Sequence, residues 1–372
     1  MNDLSKISVV LPSLDPDEKL TAVIDGLLEY GFTDIILIND GSKPENLHYF
    51  EDAAAQHPEI YLLHHNVNRG KGAALKTAFN WFLTNRPDAL GVVTVDGDNQ
   101  HHPEDTRACA QHMMESGKLV LGVRDFSLPH VPPRSRMGNR ITSGVFKLFV
   151  GMTISDTQTG LRAIPTKDVQ TLVHVNGDRF EYETNMLLEM QAQAIAFDEV
   201  KIRTVYIEDN KSSHFHAIKD SWRIYKLILA HFFRYGLSSI VSFMVDVGLV
   251  ALLTTLFGNL LTGLALTAAT VVPARVVSSL INFFMNKQLV FHSKASTGKA
   301  MLRYYLLAVP VLIAQTLLTD GVYKLFHIGP DLVFLRSLIH VAVMVVLFTV
   351  TFMIQQRWVF AKSDKNNEEA KL

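Results

Sequence analysis

The run VVTVDGDNQHHPED, from Val92 to Asp105, ends an apolar stretch on two aspartates one residue apart, Asp96 and Asp98, with Gln100 next in the same step. Carboxylates held side by side repel each other, and a bound cation would offset that cost. In an extended strand residues i and i+2 point the same way, so the pair is expected to converge on one site as the strand ends. Hard oxygen ligands suit Mg²⁺ or Mn²⁺, which bind through one or two carboxylates together with substrate phosphates. A plain acidic turn is the alternative reading of a lone D-x-D. Further along, PPRSRMGNR carries Arg134, Arg136 and Arg140. A helix would put Arg136 and Arg140 on one face, and guanidinium forks suit phosphate; a solvated basic helix is the alternative. NRGKGAA, Asn68 to Ala74, is glycine-rich at a helix start, where free backbone N–H groups and Lys71 would receive an anion; an ordinary loop is the alternative. The pairs His64-His65 and His101-His102 and the run SSHFH, Ser212 to His216, lack the cysteines or spaced histidines of a zinc site, so structural or substrate-contact roles are expected.

These residues need a scaffold. Ile7–Ser13, Asp34–Asp40, Ile60–His65, Gly91–Asp96 and Leu119–Arg124 are short β-rich runs with helical patterns between them. Alternation of this kind with continuous apolar strands predicts an α/β, Rossmann-like domain with a mostly parallel sheet covered on both faces. Ligands of such sheets bind beyond the carboxyl ends of the strands, where Pro12, Asp40, Asp96 and Arg124 fall. Neither G-x-G-x-x-G after the first strand nor G-x-x-x-x-G-K-[ST] is present.

The remaining third of the chain is a different material. Between His231 and Phe360 there are three acidic residues against nine Lys and Arg, whereas residues 1–230 hold thirty acids. Four apolar stretches, about 237–257, 260–284, 304–326 and 332–354, are each near the ~20 residues that cross a bilayer, which predicts an all-α transmembrane domain of four helices. Lys287, Lys294, Lys299 and Arg303 lie between the second and third, and GNLLTG between the first two is uncharged. That asymmetry predicts that the termini and the α/β domain face the cytoplasm. IKDSWRIYKLILAHFFRYG reads as an amphipathic helix on the membrane surface leading into the first crossing.

A repeat runs at an offset of 69 residues: Arg234-Tyr235 matches Arg303-Tyr304, Phe257 matches Phe326, and FFMNKQLVF is echoed by FMIQQRWVF. Matches at one ungapped offset predict a duplicated two-helix hairpin. Charges inside the helices are costly. Asp246 and Arg275, both ~15 Å deep at 1.5 Å per residue, are expected to pair, as are Asp320 and Arg336; a structural ion pair and a polar path for a lipid headgroup are both open.

The expected organisation is a catalytic domain over 1–215, a juxtamembrane helix over 216–235, a membrane domain over 236–360 and a polar tail. The 35 Lys and Arg against 36 Asp and Glu carry no sign of nucleic-acid binding. One cysteine, Cys109, rules out an internal disulfide and fits a reducing compartment. The N-terminal apolar run is too short for a secretory signal.

VVLPSLDPDEKL, ILINDGS, NRGKGAALKTAF, VTVDGDNQHHPED and ISDTQTGLRAIP together resemble the inverting family-two glycosyltransferases of GT-A fold, in particular polyprenyl-phosphate sugar transferases related to dolichol-phosphate mannose synthase. SSLINFFMNKQLVF with its echo QQRWVF resembles the GtrA-like membrane family. The two resemblances cover nearly the whole chain. They imply that Pro12, Asp40 and Lys71 lie at the nucleotide, that Asp96, Asp98 and Gln100 hold a metal on the donor diphosphate, that Arg124 lies near the phosphates, and that Asp156 and Arg162 lie at the acceptor side. Where relatives read Pro-x-Tyr-Asn-Glu this chain has PSLDPDE, which leaves Asp15 and Asp17 without an assigned role.

The reaction so implied moves a hexose from a nucleotide diphosphate sugar, UDP-glucose first and GDP-mannose next, to an undecaprenyl or dolichyl phosphate at the bilayer. A phosphate acceptor is already anionic and needs positioning more than deprotonation. Asp156 is then either a general base or an orienting acid. A translocase of lipid-linked sugar, with the soluble half as loader, is a second class, and a homo-oligomer is left open.

Overall fold

The computed structural model describes residues 3–129, 131–204, 217–291, 293, 295–329 and 332–361. Two compact units divide the chain, Met1–Leu227 and Ile228–Leu372. In the first, strands β1 (Ile7–Ser13), β2 (Ile35–Asn39), β3 (Ile60–His64), β4 (Gly91–Thr94), β5 (Leu119–Arg124), β6 (Arg162–Pro165) and β7 (Phe197–Ile202) form one sheet in the order β3-β2-β1-β4-β6-β5-β7. All neighbours pair in parallel except β6, which runs antiparallel to β4 and β5. The expected α/β sheet is therefore present, with β6 and β7 added. Helix α1 (Glu18–Glu29), α2 (His48–Gln56) and α4 (Pro103–Ser116) bury Leu20, Ile24, Phe50 and Cys109 against Ile7, Val9, Ile35 and Val93. From α3 (Lys71–Asn85), which packs on β1 and β2, Ala74, Ala78, Phe79 and Phe82 are buried. Burial pushes the Cys109 thiol up to about 12, so it is an inert core residue.

The parallel strands end together, and the turns that follow carry the polar residues. Asp40 N–H donates to the Ser13 carbonyl and Val95 N–H to Val10, so the β1, β2 and β4 ends are tied side by side. Three further helices complete the unit: α5 (Pro133–Val145), α6 (Thr166–Leu172) and α7 (Glu181–Gln193).

The chain continues into α8 (Ala217–Phe257), α9 (Gly263–Met285), α10 (Thr297–Leu325) and α11 (Val333–Ile354). Four helices among the described residues are long and apolar enough to cross a membrane. The expected surface helix and first crossing are one uninterrupted helix, α8. SSHFH and the polar tail beyond residue 361 lie outside the described residues.

The repeat is structural. The helices α9 and α11 each run into a π-helical turn, Asn286–Val290 and Gln355–Val359, in register with the 69-residue offset. Asn286 Nδ2 donates to Gln355 Oε1 at 3.2 Å, Gln355 Nε2 donates to the Tyr235 hydroxyl at 3.2 Å, and the rings of Phe291 and Phe360 stack at 5.2 Å. Equivalent positions of the two hairpins thus meet each other. Asp246 pairs with Arg275 at 3.4 Å and accepts from Ser278 at 3.0 Å. The expected Asp320–Arg336 pair is not formed: Asp320 pairs with Lys324 one turn on, while Arg336 donates to the Ile328 carbonyl and lies 3.9 Å from the Tyr323 ring centre.

Candidate active site

Strand β4 stops at Thr94, two residues before Asp96. The aspartates therefore converge through a turn rather than through strand alternation, with Asn99 in the left-handed region at φ 59°. Asp98 Oδ1 accepts from the Gln100 N–H at 3.1 Å, and the His101 ring accepts from the Asp96 N–H at 3.3 Å. Burial holds His101 below the usual imidazole range, which keeps it neutral and able to accept.

The two carboxylates have unequal surroundings. Lys71 Nζ lies 2.6 Å from Asp96 Oδ1 and 3.0 Å from Glu183 Oε1. Burial alone would raise Asp96, but the Lys71 ammonium, with the Arg124 guanidinium behind it, holds it below the usual range. Burial first, and then the charge of Asp96, push Asp98 up to about 6. Asp98 has no ion pair among the described residues, so the site carries an uncompensated carboxylate. Hard oxygens with surplus negative charge fit a divalent cation. No group of three or more His, Cys, Asp or Glu gathers at one point among the described residues, so the protein's share of such a coordination sphere would be Asp96 and Asp98 with Gln100 beside them.

The start of α3 is not open to an anion. Ala73 N–H donates to the Asp178 carbonyl at 2.9 Å, and Lys71 faces acids. Asp40 is also committed: its carboxylate, 4% exposed, accepts from the N–H groups of Arg69 and Gly70 at 3.0 and 2.7 Å and lies 2.6 Å from His65 Nδ1. It pins the loop that leads into α3. Pro12 is buried in β1 opposite Ile38. Asp15 accepts from the Lys43 N–H at 2.8 Å and so joins the β1 loop to the β2 loop, and Asp17 caps α1 through the Lys19 N–H.

Arg124 closes β5. Its Nε and Nη2 donate to Asp156 Oδ2 and Oδ1 at 2.7 and 3.1 Å, and Asp156, fully buried, also accepts from the Gln158 N–H at 3.1 Å. Arg162 departs from the acceptor-side expectation. It is 1% exposed inside β6 and donates to the carbonyls of Thr159 and Glu183 at 3.1 and 2.9 Å, which makes it a core guanidinium. Arg136 donates from Nε and Nη2 to the carbonyls of Phe126 and Leu128, both at 2.9 Å, and holds that loop. Arg134 and Arg140 are exposed on α5.

The description Glycosyl transferase family 2 fits residues 8–168, and GtrA/DPMS, transmembrane domain, fits residues 234–360. A dolichyl-phosphate beta-glucosyltransferase of Trichomonas vaginalis is 34% identical over 243 residues, 60% of this chain and 73% of the relative. The chain belongs to glycosyl transferase family 2. A UDP-N-acetylglucosamine–dolichyl-phosphate N-acetylglucosaminyltransferase of Methanococcus voltae is 24% identical to this family 2 chain, over 54% of it and 86% of the relative. Glucosyl-3-phosphoglycerate synthase of Mycobacterium tuberculosis, solved with Mn²⁺ and UDP, superposes with a TM-score of 0.45 at 16% identity, over 60% of this chain and 77% of that one. The family 2 relatives include dolichyl- and undecaprenyl-phosphate sugar transferases, the chain carries the α/β domain and four apolar helices expected of the fold, and it is a membrane protein.

Sequence reasoning missed Glu183 and Gly160. No local pattern ties Glu183 to the aspartates, since it arrives from the first turn of α7. Gly160 had a signal, its place in SDTQTGLR: a methyl there would run into Asp96 Oδ2. Gly160→Ala should therefore displace Asp96 and weaken Mn²⁺ binding by about tenfold or more, with far-ultraviolet circular dichroism unchanged. Wild-type affinity in that variant would show that Asp96 does not need this position.

Proposed function

We propose that this family 2 chain transfers a hexose, with inversion, from a nucleotide diphosphate sugar to a polyprenyl phosphate at the cytoplasmic face of a membrane. Residues 1–215 form the catalytic domain and 236–360 the membrane domain. The observation that carries the reading is the unequal carboxylate pair, in which Asp96 is neutralised by Lys71 and Asp98 is left in charge surplus at the carboxyl ends of the parallel strands. Asp96, Asp98 and Gln100 would hold Mg²⁺ or Mn²⁺. When bound, that ion supplies Lewis-acid stabilisation of the leaving diphosphate. The names of the dolichyl- and undecaprenyl-phosphate relatives support the acceptor class, and the 34% identity to a glucosyltransferase makes UDP-glucose the first donor to test, ahead of GDP-mannose.

The chain's own residues do the positioning. Asp156, buried and spent on two guanidinium hydrogen bonds, orients Arg124. The acceptor phosphate is anionic near neutral pH, so no base has to deprotonate it, and Asp156 acts as the orienting acid. Arg140 and Arg134, exposed on α5, are free to turn toward the acceptor phosphate. Arg136, by holding the loop over residues 126–128, sets where that loop ends. Asp40 and His65 fix the approach to α3 on the nucleotide side.

The test is the full chain in detergent with Mn²⁺, undecaprenyl phosphate and labelled UDP-glucose or GDP-mannose in separate reactions. Label is expected in the lipid phase with one donor, and none after chelation. Absence of lipid-linked label with every nucleotide sugar offered would overturn the reading.

A further inference from the structure

The family 2 reading gives Glu183 no task and leaves Lys71 held between two acids. Their placement is nevertheless tightly constructed. The loop before α7 lies directly on the start of α3: Ala73 N–H donates to the Asp178 carbonyl, Lys76 Nζ pairs with Asp178 at 2.5 Å, and a methyl at Gly70 or Gly72 would run into residues 178–182. That packing fixes the first turn of α7 against the first turn of α3. It puts Glu183 and Asp96 on either side of one ammonium, 3.0 and 2.6 Å away, with all three side chains less than a third exposed.

We propose that Lys71 is a tethered counter-cation of the donor site, that it must release Asp96 for a divalent ion to enter, and that Glu183 is the positioning residue that keeps it when it does. The proposal rests on the metal reading above and adds a consequence to it. Without donor, Lys71 occupies Asp96 Oδ1 and divalent binding is weak. A donor diphosphate brings negative charge that both recruits the ion and offers the freed ammonium a partner, so metal and donor binding become coupled. Two carboxylates sharing one ammonium make this exchange short in distance, because Lys71 can let go of Asp96 without losing Glu183.

Competition by a resident cation sets the sign of each result. Lys71→Met should tighten Mn²⁺ binding to the full chain in detergent, without nucleotide, by about tenfold or more, measured by electron paramagnetic resonance of free Mn²⁺. Lys71→Gln serves the same purpose where the methionine variant fails to fold, and Lys71→Arg, which keeps the charge, should stay within about twofold of wild type. Glu183→Gln leaves the ammonium to Asp96 alone and should weaken Mn²⁺ binding, while Lys71→Met/Glu183→Gln should bind like Lys71→Met. A merely structural Glu183 would weaken binding in both backgrounds. Unchanged or weaker Mn²⁺ binding in Lys71→Met and Lys71→Gln, with Asp98→Asn still abolishing it, overturns this proposal and leaves the metal reading intact. Mn²⁺ binding that survives Asp98→Asn overturns the metal reading itself, and this proposal with it.

Discussion

Asp98→Asn is expected to reduce sugar transfer by about 1000-fold or more while making the metal-free protein more stable at neutral pH. Both effects come from one carboxylate. Burial and the neighbouring Asp96 raise the Asp98 pKa from its ordinary value near 3.8 to about 6. A carboxyl whose pKa is raised by folding contributes its stability below the ordinary value and loses it as pH rises through about 6. Above that, ionised Asp98 is a cost of about 3 kcal/mol in the absence of a cation. The amide removes the charge and keeps the volume. The melting temperature of metal-free Asp98→Asn should exceed wild type by several degrees at pH 7.5, and the gap should narrow as pH falls below about 6 and close only below the ordinary carboxyl value near 3.8. The same ionisation governs loading, so Mn²⁺ affinity of the wild type should fall steeply below pH 6. Transfer that survives the substitution, or a variant less stable than wild type at pH 7.5, would contradict this account of the site.

For Asp156→Ala the expected losses are in stability and activity together. Asp156 is fully buried and receives two hydrogen bonds from Arg124 and one from the Gln158 backbone. Removing it strips a buried pair of one member, which costs about 3 kcal/mol, at the low end because Arg124 is 22% exposed and can turn to water. Transfer should fall by about 100-fold as the guanidinium loses its orientation. Asp156→Asn separates an orienting acid from a general base. An orienter replaced by the amide keeps its volume and an acceptor for Arg124 Nε, and about a tenth of the activity should remain. Equal and near-complete loss in both variants, with the asparagine protein folded, would make Asp156 the base.

The sheet was legible because β1, β2, β4 and β5 are buried and write themselves as continuous apolar runs. β6, RAIP, is four residues long and begins with a buried arginine, so it carries no strand pattern of its own. β7, FDEVKI, is an edge strand with Glu199 and Lys201 exposed, and its apolar alternation is weak. The membrane helices were plain from length and apolarity, and the helix expected over 216–235 is the first part of α8; what the sequence did not show is that it runs into the first crossing without a break. Within the site, Asp96, Asp98 and Gln100 are neighbours in sequence and were found together. What remained hidden was tertiary: Glu183 meets Lys71 only because a distant loop packs on two glycines, and Arg162 looks like a ligand-binding arginine until β6 draws it into the core. Charge alone could not separate an arginine that holds carbonyls, such as Arg136, from the exposed Arg140 four residues on.

Whether Asp96 and Asp98 hold a divalent ion on the donor diphosphate is decided by titrating the full chain with Mn²⁺ and following the free-ion resonance, with and without UDP or GDP. One ion per chain, bound more tightly with the fitting nucleotide and lost in both Asp96→Asn and Asp98→Asn, is the predicted result. Binding that is indifferent to nucleotide and unchanged in both variants would contradict it.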